Sequence, residues 1–206
     1  MMLGEVDNVD GHFIATKFHA LLVPTGSMYV VDQASSRSGN VTTMTWSGVP
    51  VKFNVKSALL AYPRVWLWML AFAWPFLTHY GESLSSTPMS CWYTMGGMVA
   101  VAVLAHVPGR LSEREKKRLR ILGEVTGMRL DPSKLMPWTR ESKRDVLEHQ
   151  LREMGIDTTP DGVSRAGVDA SPEVLSLLYG YARYAGDDAD WRRVADSVLA
   201  RHPRAT

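Results

Sequence analysis

The stretch from Met89 to Val107, MSCWYTMGGMVAVAVLAHV, runs for nineteen residues without an Asp, Glu, Lys or Arg. Crossing about 30 Å of hydrocarbon at about 1.5 Å per residue takes roughly 20 helical residues, and this run meets that length. A second apolar segment, Ala58 to His79, precedes it and carries Arg64. At the centre of a span an arginine would cost at least about 2.5 kcal/mol; close to the start it can snorkel to the headgroups. The nine residues YGESLSSTP join the segments, rich in turn formers and too few for a domain. The pattern therefore predicts a membrane α-helical hairpin of two transmembrane helices. The competing explanation is a pair of buried core helices in a soluble domain, but such helices usually keep a polar face, and the second segment has almost none.

Details within the segments agree with that expectation. Trp66, Trp68, Trp74 and Trp92 sit in the spans or at their ends, where indoles favour the interface, although Trp68 and Trp74 would equally suit packing on the partner helix. Pro75 cannot donate to the carbonyl of Ala71 and is expected to kink the first helix. Gly96 and Ala100 form a small-xxx-small pair, with Gly97 beside them, which lets another helix approach closely.

Orientation follows from the positive charges. Arg110, Arg114, Lys116, Lys117, Arg118 and Arg120 crowd after the second segment, Lys52, Lys56 and Arg64 stand at the first, and the connecting loop holds only Glu82. By the positive-inside rule both termini face the cytoplasm and loop 80–88 lies on the outer side. The basic run also suits anionic lipid headgroups, at about 1 kcal/mol per basic residue near the surface, so membrane lipids are expected partners.

The flanks differ from the middle. Residues 1–56 read as a small β-rich segment: HFIATKFHALLV, SMYVVDQ, VTTMTW and VKFNV are four short strands separated by PTG, ASSRSGN and SGVP. So small a sheet has little core of its own and is expected to pack on a neighbour. Residues 110–206 read as an all-α bundle. Ser112 and Glu115 have capping-box spacing and Gly127 ends that helix. A second helix is expected from Thr139 to Met154, with Val146, Leu147, Leu151 and Met154 on one face; Ser171 starts a third, and Asp187 or Asp188 caps a fourth carrying Trp191, Val194, Val198 and Leu199.

The search for chemistry yields little. The opening MMLGEVDNVDGH lacks the basic and apolar regions of a cleavable signal. Cys91 is the sole cysteine of the 206 residues, which excludes an internal disulfide framework and a multi-cysteine metal site. None of His12, His19, His79, His106, His149 and His202 stands at metal-ligand spacing, so no metal or cofactor is expected. His79 and Cys91 could meet across the hairpin, though bland interfacial side chains suit them better. Neither a phosphate-binding loop nor a nucleophile motif occurs, and the acidic cluster Asp187, Asp188 and Asp190 is better explained by capping than by a cation. A net charge of +2 is too mild to imply nucleic acid. The sequence thus points to a non-enzymatic two-pass protein, an accessory or scaffold subunit of a larger membrane assembly, partnered by other membrane subunits or by copies of itself. The alternative is a membrane-anchored regulator whose C-terminal helices bind a soluble cytoplasmic protein.

Overall fold

Asp10 and Gly11 take positive φ values of 50° and 87°, the left-handed pair that a tight type I′ hairpin requires. They join β1 (Met2–Val9) to β2 (His12–His19), with Val9 opposite His12. The computed structural model describes residues 2–19, 23–38, 41–78, 88–105 and 111–203. β3 (Val23–Ser38) and β4 (Val41–Val51) complete a four-stranded sheet in the order β1-β2-β3-β4, with β2 antiparallel to both neighbours. The β1–β2 register slips between Leu3 and Val6 and again between Val6 and Val9, and Gly4 and Asp7 hold φ of 72° and 57° in those intervals, as bulged strands allow.

Two units divide the chain: residues 1–49 with 53–110, and residues 50–52 with 111–206. In the first unit the sheet and the helix α1 (Val55–Thr78) pack together. The alternation of β2 explains how. Thr16 and Phe18 turn to α1, where Thr16 Oγ1 donates to Ser57 Oγ at 2.9 Å and Phe18 meets Tyr62 edge to face at 5.6 Å. Ser57 Oγ in turn donates to the Gly4 carbonyl at 2.6 Å. A Cβ on Gly4 would lie 2.1 Å from the Ser57 carbonyl oxygen, so only glycine admits the helix this close. On the opposite face Phe13, Ala15, Met28 and Val30 form a small core flanked by Met2 and Trp46. The helix α2 (Met89–Leu104) packs along α1.

The expected membrane hairpin is not formed, because no helix among the described residues is long and apolar enough to cross a membrane. α1 has 24 residues, but its first turns are committed to the sheet and Arg64 breaks its uncharged run; the uncharged part from Val65 to Thr78 spans about 21 Å at the helical rise of about 1.5 Å per residue. α2 is uncharged throughout but only 16 residues long, about 24 Å by the same rise and short of the roughly 30 Å required. The two-pass topology, with cytoplasmic termini and an outer loop, falls with it. So do the roles built on spanning: the accessory subunit of a membrane assembly and the membrane-anchored regulator. Residues 79–87 lie outside the described residues, as do 106–110 and with them Arg110. VKFNV does not form a separate strand either: Val51 ends β4 and Val55 begins α1.

The second unit is built around α6 (Pro172–Ala185), nine of whose 14 residues are buried. Around it pack α3 (Glu113–Thr126), α4 (Pro137–Glu153), α5 (Pro160–Ala166) and α7 (Ala189–Arg201). Ser112, Thr159, Ser171 and Asp188 cap α3, α5, α6 and α7 by accepting from backbone N–H groups in the first turn. Gly127 ends α3 at φ 72°. On α4 the expected apolar face is split: Leu147 and Leu151 are buried, while Val146 and Met154 are exposed.

Candidate functional site

Thirteen of the nineteen large apolar side chains exposed among the described residues lie on α1 and α2. Their placement follows from the helical period. Along α2 the buried and half-buried positions Cys91, Met95, Met98, Ala102 and Ala105 recur at steps of four and three, the spacing of a helix seam. Tyr93, Val101 and Leu104, which are 74%, 52% and 63% exposed, occupy the other side. On α1, Ala71 and Pro75 are buried, while Phe72, Phe76 and Leu77 are each more than 60% exposed. Trp68 stacks on Phe72 at 6.0 Å and 19° between ring planes.

Three of the four predicted packing residues belong to this surface, and the fourth, Pro75, is buried. Gly96, Gly97 and Ala100 are exposed, and a Cβ on either glycine would meet nothing within 4 Å. Among the described residues nothing packs over Gly96 or Gly97. Pro75 lies inside a helix that continues through it to Thr78. Polar groups on the two helices are turned back on their own backbone: Thr78 Oγ1 donates to Trp74 O at 2.8 Å and Thr94 Oγ1 to Ser90 O at 3.0 Å. Cys91 is buried with its sulfur 3.6 Å from Thr78 Oγ1; its suggested partner His79 is outside the described residues.

The basic residues assigned to headgroups or topology are spread over different surroundings. Arg64 Nε donates to the Ala105 carbonyl at 2.9 Å, and its Nη1 donates to the Glu5 carbonyl. Partial burial lowers the pKa of that guanidinium, with the Glu5 charge opposing the shift. On α3, Lys116 pairs with Glu113 at 2.7 Å, and Arg118 lies 3.7 Å from Glu115 and 3.9 Å from Asp196. Arg114, Lys117 and Arg120 are exposed on the same helix.

Other side-chain clusters account for themselves structurally. Ser176 Oγ lies 3.0 Å from His202 Nε2 and 3.4 Å from Glu124 Oε2. With Ser176 and His202 only 3% and 2% exposed, no substrate reaches the hydroxyl in this conformation, and the group ties α6 to the end of α7. The acidic run at α7 is capping and pairing: Asp188 accepts from the N–H groups of Asp190 and Trp191, Asp187 pairs with Arg140 at 2.7 Å, and Asp190 pairs with Arg193. Among the described residues no three His, Cys, Asp or Glu side chains converge to hold a metal ion. No protein-family model matches the chain, and no curated protein or solved structure matches it either. Missed by sequence reasoning were the strand β1, the outward turn of Val146, the short helix α5 and the hydroxyl chain from Thr16 through Ser57 to Gly4. The last depends on contacts between residues more than forty apart, which no local signal records.

Proposed function

We propose that this chain is a non-enzymatic interaction protein that self-associates through the uncovered face of its α1–α2 hairpin. The observation that carries the reading is the concentration of exposed apolar side chains on those two helices. Monomeric proteins rarely expose contiguous apolar patches beyond about 300–600 Å², and larger ones mark interaction sites. The partner must be as uncharged as the face itself, since a buried unpaired charge would cost several kcal/mol. A second copy of α2 satisfies this by construction, and the open space over Gly96 and Gly97 lets two such helices meet backbone to backbone.

Sedimentation equilibrium of the full chain in detergent-free buffer tests the proposal. A dimer or other closed oligomer of fixed stoichiometry is expected, and Val101→Glu with Leu104→Glu should shift it toward monomer by at least about tenfold in dissociation constant, the effect of about 1.4 kcal/mol. A wild-type chain that stays monomeric at tens of micromolar overturns the reading. So does a monomer that partitions instead into phosphatidylcholine vesicles, because the apolar face would then be occupied by lipid.

A further inference from the structure

The helix α4 carries four cations and four carboxylates in sequence, and the fold sorts them. Arg140 donates to the Tyr184 carbonyl and pairs with Asp187, Lys143 Nζ donates to the Thr126 carbonyl at 3.0 Å, and Arg152 pairs with Glu148. The remaining side of the helix is left with Trp138 and Val146, 61% and 53% exposed, beside a shallow trough of about 750 Å³. Three carboxylates line that trough, Glu141, Asp145 and Glu153, and no Lys or Arg does. Arg144 reaches Asp145 from the edge at 2.9 Å and His149 stands 3.3 Å from Glu153.

We infer that the outer face of α4 is a docking surface for a basic amphipathic helix of a partner protein. The geometry selects a helix because both anchors lie on one 17-residue helix, eight residues apart, which is about 12 Å along the axis. A partner helix laid along the trough offers apolar residues at a matching repeat of seven or eight. The charge selects a basic one: Lys or Arg beside the apolar stripe would meet Glu141, Asp145 and Glu153, whereas an acidic helix would be repelled. This inference stands apart from self-association through α1 and α2, since it uses other residues in the other unit.

The test uses the full chain labelled with 5-fluorotryptophan and observed by fluorine NMR, with the Trp138 resonance assigned through Trp138→Phe. The probe is an 18-residue peptide of Leu, Lys and Ala whose leucines fall on one helical face. The Trp138 resonance is expected to shift on titration while that of Trp191 holds, and Glu141→Lys with Asp145→Lys should weaken binding at least about fivefold. Both substitutions sit on exposed positions, so the fold is retained; the Trp191 resonance reports on that. An unmoved Trp138 resonance overturns the inference. It is equally overturned by equal binding of the Glu-for-Lys peptide, or by shifts confined to the tryptophans of α1 and α2, which would place the peptide on the hairpin.

Discussion

The guanidinium of Arg64 holds the end of α2: its Nε donates to the carbonyl of Ala105 at 2.9 Å while Nη1 reaches back to the carbonyl of Glu5 in β1. Ala105 is the C-cap of α2, and the last carbonyls of a helix have no intrahelical donor. One side chain of α1 therefore satisfies an orphan acceptor of α2 and joins sheet and hairpin into one unit.

Replacing Arg64 by Met should cost that unit about 1–3 kcal/mol, the penalty for leaving partly buried acceptors unmatched. Arg64→Lys should recover only part of it, because a single ammonium cannot reproduce the guanidinium fork. Urea unfolding, with amide exchange read in the last turn of α2, measures both. Wild-type stability in the Met variant would show that the carbonyls are as well served by water.

Acid stability is set in part by Asp131. Burial alone would raise its pKa, but hydrogen bonds from Ser133 and the charge and hydrogen bond of Arg183 bring it below the ordinary value of 3.8; Arg183 Nη2 stands 2.6 Å from Asp131 Oδ2. A depressed folded pKa contributes stability above the unfolded value, lost as pH falls through the folded one. Asp131→Asn should lose about 2 kcal/mol at neutral pH, less than the 3–5 kcal/mol of a fully buried pair because the two side chains keep 26% and 21% exposure. Its stability should also fall less steeply below pH 4 than that of the wild type, which denaturant titrations across the acid range would reveal.

The alkaline side depends on buried tyrosines, above all Tyr179 and Tyr184. Burial pushes the phenols of Tyr179 and Tyr184 up to about 12. The neutral phenol is favoured in the folded state, so the contribution is intact below the unfolded value of 10.0 and drains away as pH rises through about 12. Phenolate absorbance should show Tyr179 and Tyr184 ionising late, in step with unfolding, with Tyr181 also delayed by burial. Thr126 lies near enough to Tyr184 to lower its pKa slightly, but Thr126 Oγ1 already donates to Leu122 O at 2.7 Å, and the Tyr184 hydroxyl makes no bond of regular geometry among the described residues. Tyr184→Phe should therefore be neutral or stabilise by up to about 1 kcal/mol and remove one late phenol from the titration.

What was legible in the sequence was what is decided locally. Ser112, Ser171 and Asp188 cap their helices because a side-chain oxygen finds an N–H two or three residues on, a distance the sequence itself displays. Asp10-Gly11 is an equally local hairpin signal, an Asp-Gly pair, and it joins β1, absent from the four expected strands, to β2. The hairpin misled for a different reason: counting uncharged residues from Met89 to Val107 measures apolar length, not helix length, and α2 ends at Leu104. Which neighbour an apolar face meets is likewise non-local. Val146 belongs to the same heptad as Leu147, yet α6 covers only one of them.

Glycine separates packing within the unit from packing beyond it. A Cβ on Gly180 would stand 2.7 Å from Val125 Cγ2, so Gly180→Ala must push α3 from α6 and should cost about 1–3 kcal/mol. Gly96 and Gly97 have no such neighbour, and each sits within an exposed helix, where Gly is less favourable than Ala by about 1 kcal/mol. Gly96→Ala and Gly97→Ala should thus each raise stability by about 0.5–1 kcal/mol, readable as a later denaturant midpoint at unchanged slope. The bulkier Gly96→Leu with Gly97→Leu should leave folding intact and abolish self-association, because leucine fills the space a second helix would occupy. If the leucine variant assembled as the wild type does, the two glycines would have no part in the contact, and the self-association surface would have to lie on the aromatic side of α1.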